Sequence, residues 1–147
     1  MTTTENICEE LQTHFGDAIS AHRETRDGIP TMWVEASSIR SVLAHLKNEI
    51  DQPYTFLYDL CVIDERVRSD RAQHPALGDY TIVYHLLSYE RNRDLRLKVA
   101  LTGDSPSIDS IVSVWPAANW YEREAWDMFG VRFEGHPNLR RLLMPNT

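Results

Sequence analysis

The sequence predicts an α+β domain: a mixed, mostly antiparallel sheet covered by helices on one face, with an extended C-terminal arm. Three observations carry that expectation. Between positions 54 and 102, three strand-like segments follow one another with only turns or loop between them, unlike the alternating order of a parallel α/β sheet. In "LRLKVALT" (95–102), Leu95, Leu97, Val99 and Leu101 fall on one face, the pattern of a sheet with one dry and one wet side. Helical periodicity is confined to segments flanking these strands.

Ile7, Leu11 and Phe15 recur four apart, with Cys8 alongside, and predict a first helix that stops at Gly16. Residues 17–25 read as a weak strand. Gly28 and Pro30 mark a turn, and "TMWVEA" (31–36) reads as a second strand, so the pair is expected to form a hairpin. Ser37 or Ser38 is placed to cap a second helix with the stripe Ile39, Val42, Leu43, Leu46 and Ile50, and Pro53 bars its continuation. "YTFLYDLCVIDE" (54–65), rich in aromatic and β-branched residues, is expected to be a central strand. "DYTIVYHLLSYE" (79–90) is another, with the polar "RVRSDRAQHPALG" as a long loop between them, and "RNRD" (91–94) is a tight turn before the third. Downstream, Ser105 as a cap, Pro106 at the first helical position and the stripe Ile108, Ile111, Val112 and Trp115 predict a helix closed by Pro116. The last helix is expected from about Trp120 to Phe129. The predicted order is α-β-β-α-β-β-β-α-α, with residues 1–130 as one domain and 131–147 as a partner-docking arm.

A chain of 147 residues suits one domain, and 42% hydrophobic with 25% charged residues is ordinary globular composition. The net charge of −7 weighs against nucleic acid or an anionic membrane as a partner of the whole surface. No apolar run reaches the ~18–20 residues of a membrane helix. "MTTTENICEELQ" has neither a basic n-region nor an apolar h-region, so a reducing compartment is expected. Cys8 and Cys61 are the only cysteines, short of the roughly four thiolates or Cys/His cluster that a metal or iron–sulfur site requires. Both are expected to be buried thiols acting as small hydrophobes.

The densest stretch is "ANWYEREAWDMFGVRFEGHPNLRRLLMP" (118–145). Asn119 is expected as an N-cap, with Glu122 at the third helical position completing a capping box. Ala118, Tyr121, Ala125, Met128 and Phe129 are assigned to one apolar face. Gly130 is expected in the left-handed conformation, with Val131 supplying the hydrophobic contact of a Schellman ending. Glu124 and Asp127 share a face, and a carboxylate pair performs general acid–base work when its surroundings split the two pKa values. Arg123, beside Glu124 and four before Asp127, favours both in the ionised form, which donates protons poorly at neutral pH. His136 sits in a Gly–His–Pro turn. No histidine lies three to five residues from another, and no G-x-S-x-G, P-loop or G-x-G-x-x-G motif occurs. The arm sets Arg132, Arg140 and Arg141 against Glu134, and Leu139, Leu142, Leu143 and Met144 need cover. It is expected to fold back on its domain or to lie on a partner, with Arg140 and Arg141 paired to acids there.

Within this stretch, "EREAWDMFGVRFEGHPNLRRLL" closely resembles the signature of the C subunit of respiratory complex I, the proton-translocating NADH:quinone oxidoreductase. Glu122, Arg123, Glu124, Asp127, Met128, Phe129, Gly130, Val131, Phe133, Gly135, His136, Pro137, Leu139, Arg140, Arg141, Leu142 and Leu143 carry the match. The resemblance implies a non-catalytic scaffold of the peripheral arm, docked on the D subunit with subunits B and I nearby. It would support electron transfer from NADH through iron–sulfur clusters to quinone, coupled to proton translocation. The clusters, FMN and quinone are implied in partner subunits, and none on this chain. The implied location is peripheral, on the cytoplasmic side of a bacterial inner membrane, reached only through the complex. In some bacteria the C and D subunits are fused in one polypeptide, and "LMPNT" resembles the start of that junction. Two rival readings stay open: the equivalent module of a membrane-bound nickel–iron hydrogenase or other quinone-linked dehydrogenase, and a stand-alone hydrolase using Glu124 and Asp127.

Overall fold

The computed structural model describes residues 3–21, 28–67 and 78–137. The elements are α1 (Thr3–Phe15), β1 (Ile19–Ala21), β2 (Thr31–Val34), α2 (Ile39–Asn48), β3 (Phe56–Asp64), β4 (Tyr80–Ser88), β5 (Arg93–Leu101), β6 (Ser107–Asp109), α3 (Ala118–Phe129) and β7 (Arg132–Glu134). Five strands form one sheet in the order β1-β2-β5-β4-β3, and β6 with β7 forms a second, two-stranded sheet. In the large sheet only β2 and β5 run parallel; its other pairs are antiparallel. The architecture is thus α+β with a mixed sheet, as expected. The predicted hairpin is present as β1 and β2, with Ile19 opposite Val34; residues 22–25 of its first strand lie outside the described residues.

The period-2 alternation of β5 buries Leu95, Leu97, Val99 and Leu101 beside Tyr80, Ile82, Tyr84 and Leu86 of β4. The helical stripes of α1 (Ile7, Leu11) and α2 (Ile39, Val42, Leu43, Leu46) join the same core cluster. One arginine ties the β4–β5 hairpin tip to both helices' surroundings. Arg91 donates to the Asp51 and Gln52 carbonyls at 2.7 and 2.8 Å, pairs with Glu10 at 3.5 Å and stacks its guanidinium over Tyr54. Among the described residues no helix is long and apolar enough to cross a membrane.

Four sequence expectations need correction. First, β3 is an edge strand, not a central one. A bulge leaves Tyr58 out of register between Leu57 and Asp59, and the outward side carries Phe56, Tyr58 and Ile63 exposed. Its aromatic content therefore marks surface, where β-propensity reads as burial. Cys61 is likewise exposed on this strand, and Cys8 is half-buried.

Second, residues 105–115 form no helix. Ser107–Asp109 is a strand paired in parallel with Arg132–Glu134, and only one turn follows, with the Val114 and Trp115 amides both donating to the Ile111 carbonyl. Burial of Ile108, Ile111 and Trp115 meets the helix-like spacing without a helix, because a strand and a turn bring the same side chains inward. The observed order is therefore α-β-β-α-β-β-β-β-α-β.

Third, neither helix start uses a side-chain cap. Ser38 ends a 3₁₀ turn in the αR region, and the Ser38 amide donates to the Glu35 carbonyl. A cap residue needs an extended backbone for its hydroxyl to reach the next amides, so Ser38 cannot serve. Fourth, the expected arm begins inside the domain: Val131 and Phe133 are core residues and 132–134 is β7. The remainder of the arm from Asn138 lies outside the described residues.

Gly78 enters β4 against the end of β5. A Cβ there would collide with the Leu101 carbonyl oxygen and approach its carbon to 2.9 Å, both rigid backbone atoms. Gly78→Ala is expected to destabilise the chain by about 1–3 kcal/mol, as overpacking does. The urea midpoint of unfolding would show it, with an unchanged m-value.

Candidate docking site around the third helix

α3 emerges from a backbone turn, not from a capping box. The Ala118 amide donates to the Trp115 carbonyl and the Asn119 amide to the Pro116 carbonyl, so the first orphan amides are already met. Asn119 lies within the helix, and Ala117, at the cap position, makes no side-chain cap bond. At the far end Gly130 takes φ +73 and returns its amide to the Trp126 carbonyl, and Val131 is buried beside it, as the sequence predicts.

The inward face of α3 is Ala118, Glu122, Ala125 and Phe129, spaced by four, three and four. Glu122 is completely buried among them. Its Oε1 accepts from the Ser110 hydroxyl at 2.6 Å, and its Oε2 accepts from the Ile111 amide at 2.8 Å. That amide is one the expected 105–115 helix would have satisfied; here a side chain from α3 does so. His136 completes the cluster. Its side chain is sealed from solvent, with Nε2 3.4 Å from the Asn119 carbonyl and 4.0 Å from Glu122 Oε1. The expected turn is present: Gly135 takes φ +84 and the His136 amide donates to the Phe133 carbonyl. A periodicity signal for Glu122 was available, since it stands four after Ala118, three before Ala125 and seven before Phe129.

Burial is the dominant influence on Glu122. It raises the carboxyl from its usual 4.5 to about 7, although the Ile111 and Ser110 donors pull the other way. Burial pushes the His136 imidazole down, with the Asn119 carbonyl opposing and the Arg123 charge reinforcing the shift. The buried Tyr84 phenol is pushed up by burial and by the charges of Glu122 and Asp109.

This trio is not a nucleophilic site. A triad places histidine between serine and the acid, whereas here the acid lies between the two. All three side chains are enclosed, with Ser110 4% exposed and the other two side chains at 0%. No group of three or more His, Cys, Asp or Glu among the described residues is arranged to hold a metal ion.

The outward face presents Trp120, Glu124 and Met128; Trp120 is 57% and Met128 59% exposed, so Met128 does not belong to the inner face assigned to it. Arg123 and Asp127 are half-buried, and one atom of each, Nε and Oδ1, is shut from solvent without a hydrogen-bond partner among the described residues. Of the other motif residues, Phe129 packs on the core with its ring 6.5 Å from that of Tyr80, Phe133 is core, and Gly135 and Pro137 are exposed. Leu139, Arg140, Arg141 and Leu142 lie outside the described residues.

α3 lies against the β3 edge. The Tyr121 hydroxyl donates to the carbonyl of bulged Tyr58 at 3.2 Å, and the Trp115 indole donates to the Thr55 carbonyl at 3.0 Å. Phe56, Tyr58 and Tyr89 cluster with ring centroids about 6 Å apart (6.4 and 6.1 Å from Phe56), and Tyr58 stands 4.5 Å from the His85 ring. Among the described residues, six of the seven large exposed hydrophobics lie on β3, on α3 or at Tyr89 beside them: Phe56, Tyr58, Ile63, Tyr89, Trp120 and Met128. Sequence reasoning missed these. The available signal was apolar residues on both sides of one strand in a chain with few helices to cover them.

The sign of the pH dependence follows from Glu122. The folded carboxyl holds its proton to about pH 7, and the unfolded one loses it near 4.5. Its contribution is therefore full below 4.5 and is lost as pH rises to about 7, on the order of 3 kcal/mol. His136 acts oppositely below about pH 6.5, where the unfolded chain takes up a proton that the folded one resists. Glu122→Gln should flatten the fall in stability between pH 5 and 7 and leave the acid-side loss, as urea melts across that range would report.

Residues 32–147 match the family model described as the 30 Kd subunit of respiratory-chain NADH dehydrogenase. The C/D subunit of NADH-quinone oxidoreductase from Methylococcus capsulatus is 54% identical over 143 residues, which is 97% of this chain and 24% of that protein. The C/D subunit from Nitrosospira multiformis is 47% identical over 95% of this chain and 24% of its own length, and that from Acinetobacter baylyi 51% over 95% and 23%. The chain thus spans about a quarter of the length of these relatives. Among solved structures, the trypsin-resistant fragment of Nqo5 superposes with a TM-score of 0.71 at 25% identity, over 92% of this chain and 98% of that one. A chain of the membrane-bound sulfane sulfur reductase, an archaeal respiratory membrane complex, gives 0.74 at 22% identity over 97% and 77%, a likeness of fold alone. With its α3 signature residues and its mixed sheet in place, the chain belongs to the 30 Kd subunit family of respiratory NADH dehydrogenase.

Proposed function

We propose that this chain is a non-catalytic scaffold of the peripheral arm of an NADH:quinone oxidoreductase, docking on a D subunit through the outer faces of α3 and β3. The carrying observation is the concentration of exposed Phe56, Tyr58, Ile63, Tyr89, Trp120 and Met128 on those two adjoining elements. Exposed apolar patches of this kind mark protein–protein contacts, and aromatic and methionine side chains are enriched in the cores of such contacts. The relatives carry the double name C/D, which pairs this domain with a D portion in one polypeptide. Arg140 and Arg141, which lie outside the described residues, are the charges this reading pairs with acids on that partner. Subunits B and I are the further neighbours of this reading. The iron–sulfur clusters, FMN and quinone sit in partner subunits, and the chain is held at the cytoplasmic side of a bacterial inner membrane through the complex. Its contribution to electron transfer and proton translocation is assembly.

The hydrolase alternative loses its footing at Glu124, which is solvent-exposed on the outer face. General acid–base work needs a carboxyl held in a cleft within reach of the bond it serves, and Glu124 faces open solvent.

Two variants test docking. Trp120→Ala with Met128→Ala, and separately Arg140→Glu with Arg141→Glu, should leave the melting temperature of this chain within a few degrees of wild type. With this chain and the D portion produced as separate polypeptides, each should reduce recovery of the chain on a tagged D portion by at least about tenfold, the scale of one interface hot spot. Wild-type yield of the complex with both variants would overturn the proposal.

A further inference from the structure

The Glu122 cluster is the one place in the described structure where an enclosed carboxyl and an enclosed imidazole meet. It is also where three separate segments converge. Glu122 comes from α3, Ser110 and Ile111 follow β6, and His136 closes the turn after β7. The β6–β7 pairing itself is only three residues long, too short to hold without support from neighbouring elements. We propose that the Ser110–Glu122–His136 cluster is a proton-operated latch: one proton on the Glu122 carboxyl sets how firmly the β6–β7 ribbon and the Gly135–His136–Pro137 turn are held against α3.

The hydrogen-bond inventory makes the proton matter. Ionised, the carboxylate offers acceptors to both the Ser110 hydroxyl and the Ile111 amide, and it carries a charge out of reach of water. Protonated, it keeps the Ile111 bond and presents one O–H, for which Ser110 Oγ at 2.6 Å is the acceptor within reach; the serine hydrogen must then turn away. His136 Nε2 faces two acceptors, the Asn119 carbonyl and Glu122 Oε1, which select the tautomer with hydrogen on Nε2. Deprotonation of Glu122 sends the proton to bulk water and leaves an enclosed charge, with no cation among the described residues bonded to it and His136 Nε2 4.0 Å away.

The remaining groups around the site do not cancel that charge. Tyr84 on β4 feels the Glu122 charge, and its buried hydroxyl has no hydrogen-bond partner among the described residues. Asp109 on β6 adds negative charge and is paired with Arg40 at 3.8 Å. Arg123 on α3 disfavours a cationic His136. The charged carboxyl is therefore relieved by opening, and the least costly opening separates the short ribbon from α3. This holds for the isolated chain, whatever surface covers it in a complex.

Hydrogen exchange of the 147-residue chain tests the latch at three amides: Ser110, bonded to the Glu134 carbonyl; Arg132, bonded to the Pro106 carbonyl; and His136, bonded to the Phe133 carbonyl. After correction for the intrinsic pH dependence, protection of these amides should fall about tenfold between pH 6 and 8. Protection in the β4–β5 hairpin should hold. The His136 ring resonances should show an inflection near pH 7 that reports the neighbouring carboxyl. Glu122→Gln should abolish both effects. Should that variant fail to fold, Ser110→Ala serves, because loss of a donor to the carboxylate moves the midpoint to higher pH. Equal protection at both pH values, an unchanged profile in Glu122→Gln, or an unmoved midpoint in Ser110→Ala would overturn the latch.

Discussion

The Glu122 carboxyl, held by the Ser110 hydroxyl and the Ile111 amide, is the contact on which the C-terminal third of the domain depends. A two-stranded parallel ribbon of three residue pairs has little stability of its own. α3 is the connection between its strands, so the carboxyl staples the crossover helix to the strand it came from. The arrangement is costly, because an ionisable group has been placed in the core where a leucine would pack. In return, the helix register is specified by two directional bonds, where an apolar contact would tolerate a slip.

The same helix resolves a second problem. β3 ends the main sheet, and an edge strand with free carbonyls invites pairing with other chains. Tyr121 donates to one of those carbonyls, at Tyr58, Trp115 donates to the Thr55 carbonyl just before the strand, and the bulge at Tyr58 twists the strand away from regular pairing. The edge is blunted and the side-chain face beside it remains apolar. Such a surface suits contact through side chains. α3 thus works in two directions: Glu122 faces inward to hold the ribbon, and Trp120 and Met128 face outward.

The misreadings share a cause. Spacing of apolar residues reports which side chains go inward, and several backbones satisfy one spacing. Ile108, Ile111 and Trp115 are buried as their period implies, yet through a strand and a turn. The pairing partner that decided it, Arg132–Glu134, lies more than twenty residues away. β3 was misplaced because its aromatics were assigned to the core, when strand order puts it at the rim. Residue type and spacing suggest Asn119 and Ser38 as caps, but the preceding turns place both in helical backbone, where a side chain does not reach the next amides.

What the sequence by itself determined is local: the α1 and α2 stripes, the one-sided alternation of β5, the left-handed Gly130 and the Gly135 turn. Each depends on residues within a few positions of one another, where side-chain period and glycine's freedom at positive φ dictate the outcome. The motif that carries the family was legible in the same way, as a run of residue identities. Tertiary structure alone decided that β3 is an edge, that β6 is a strand and that Glu122 is enclosed against Ser110 and His136. Those outcomes turn on which distant segment supplies the hydrogen-bond partner or the apolar cover. A buried carboxyl and an exposed tryptophan stand two residues apart in the same stretch, and only the packing around them separates the joint from the docking face.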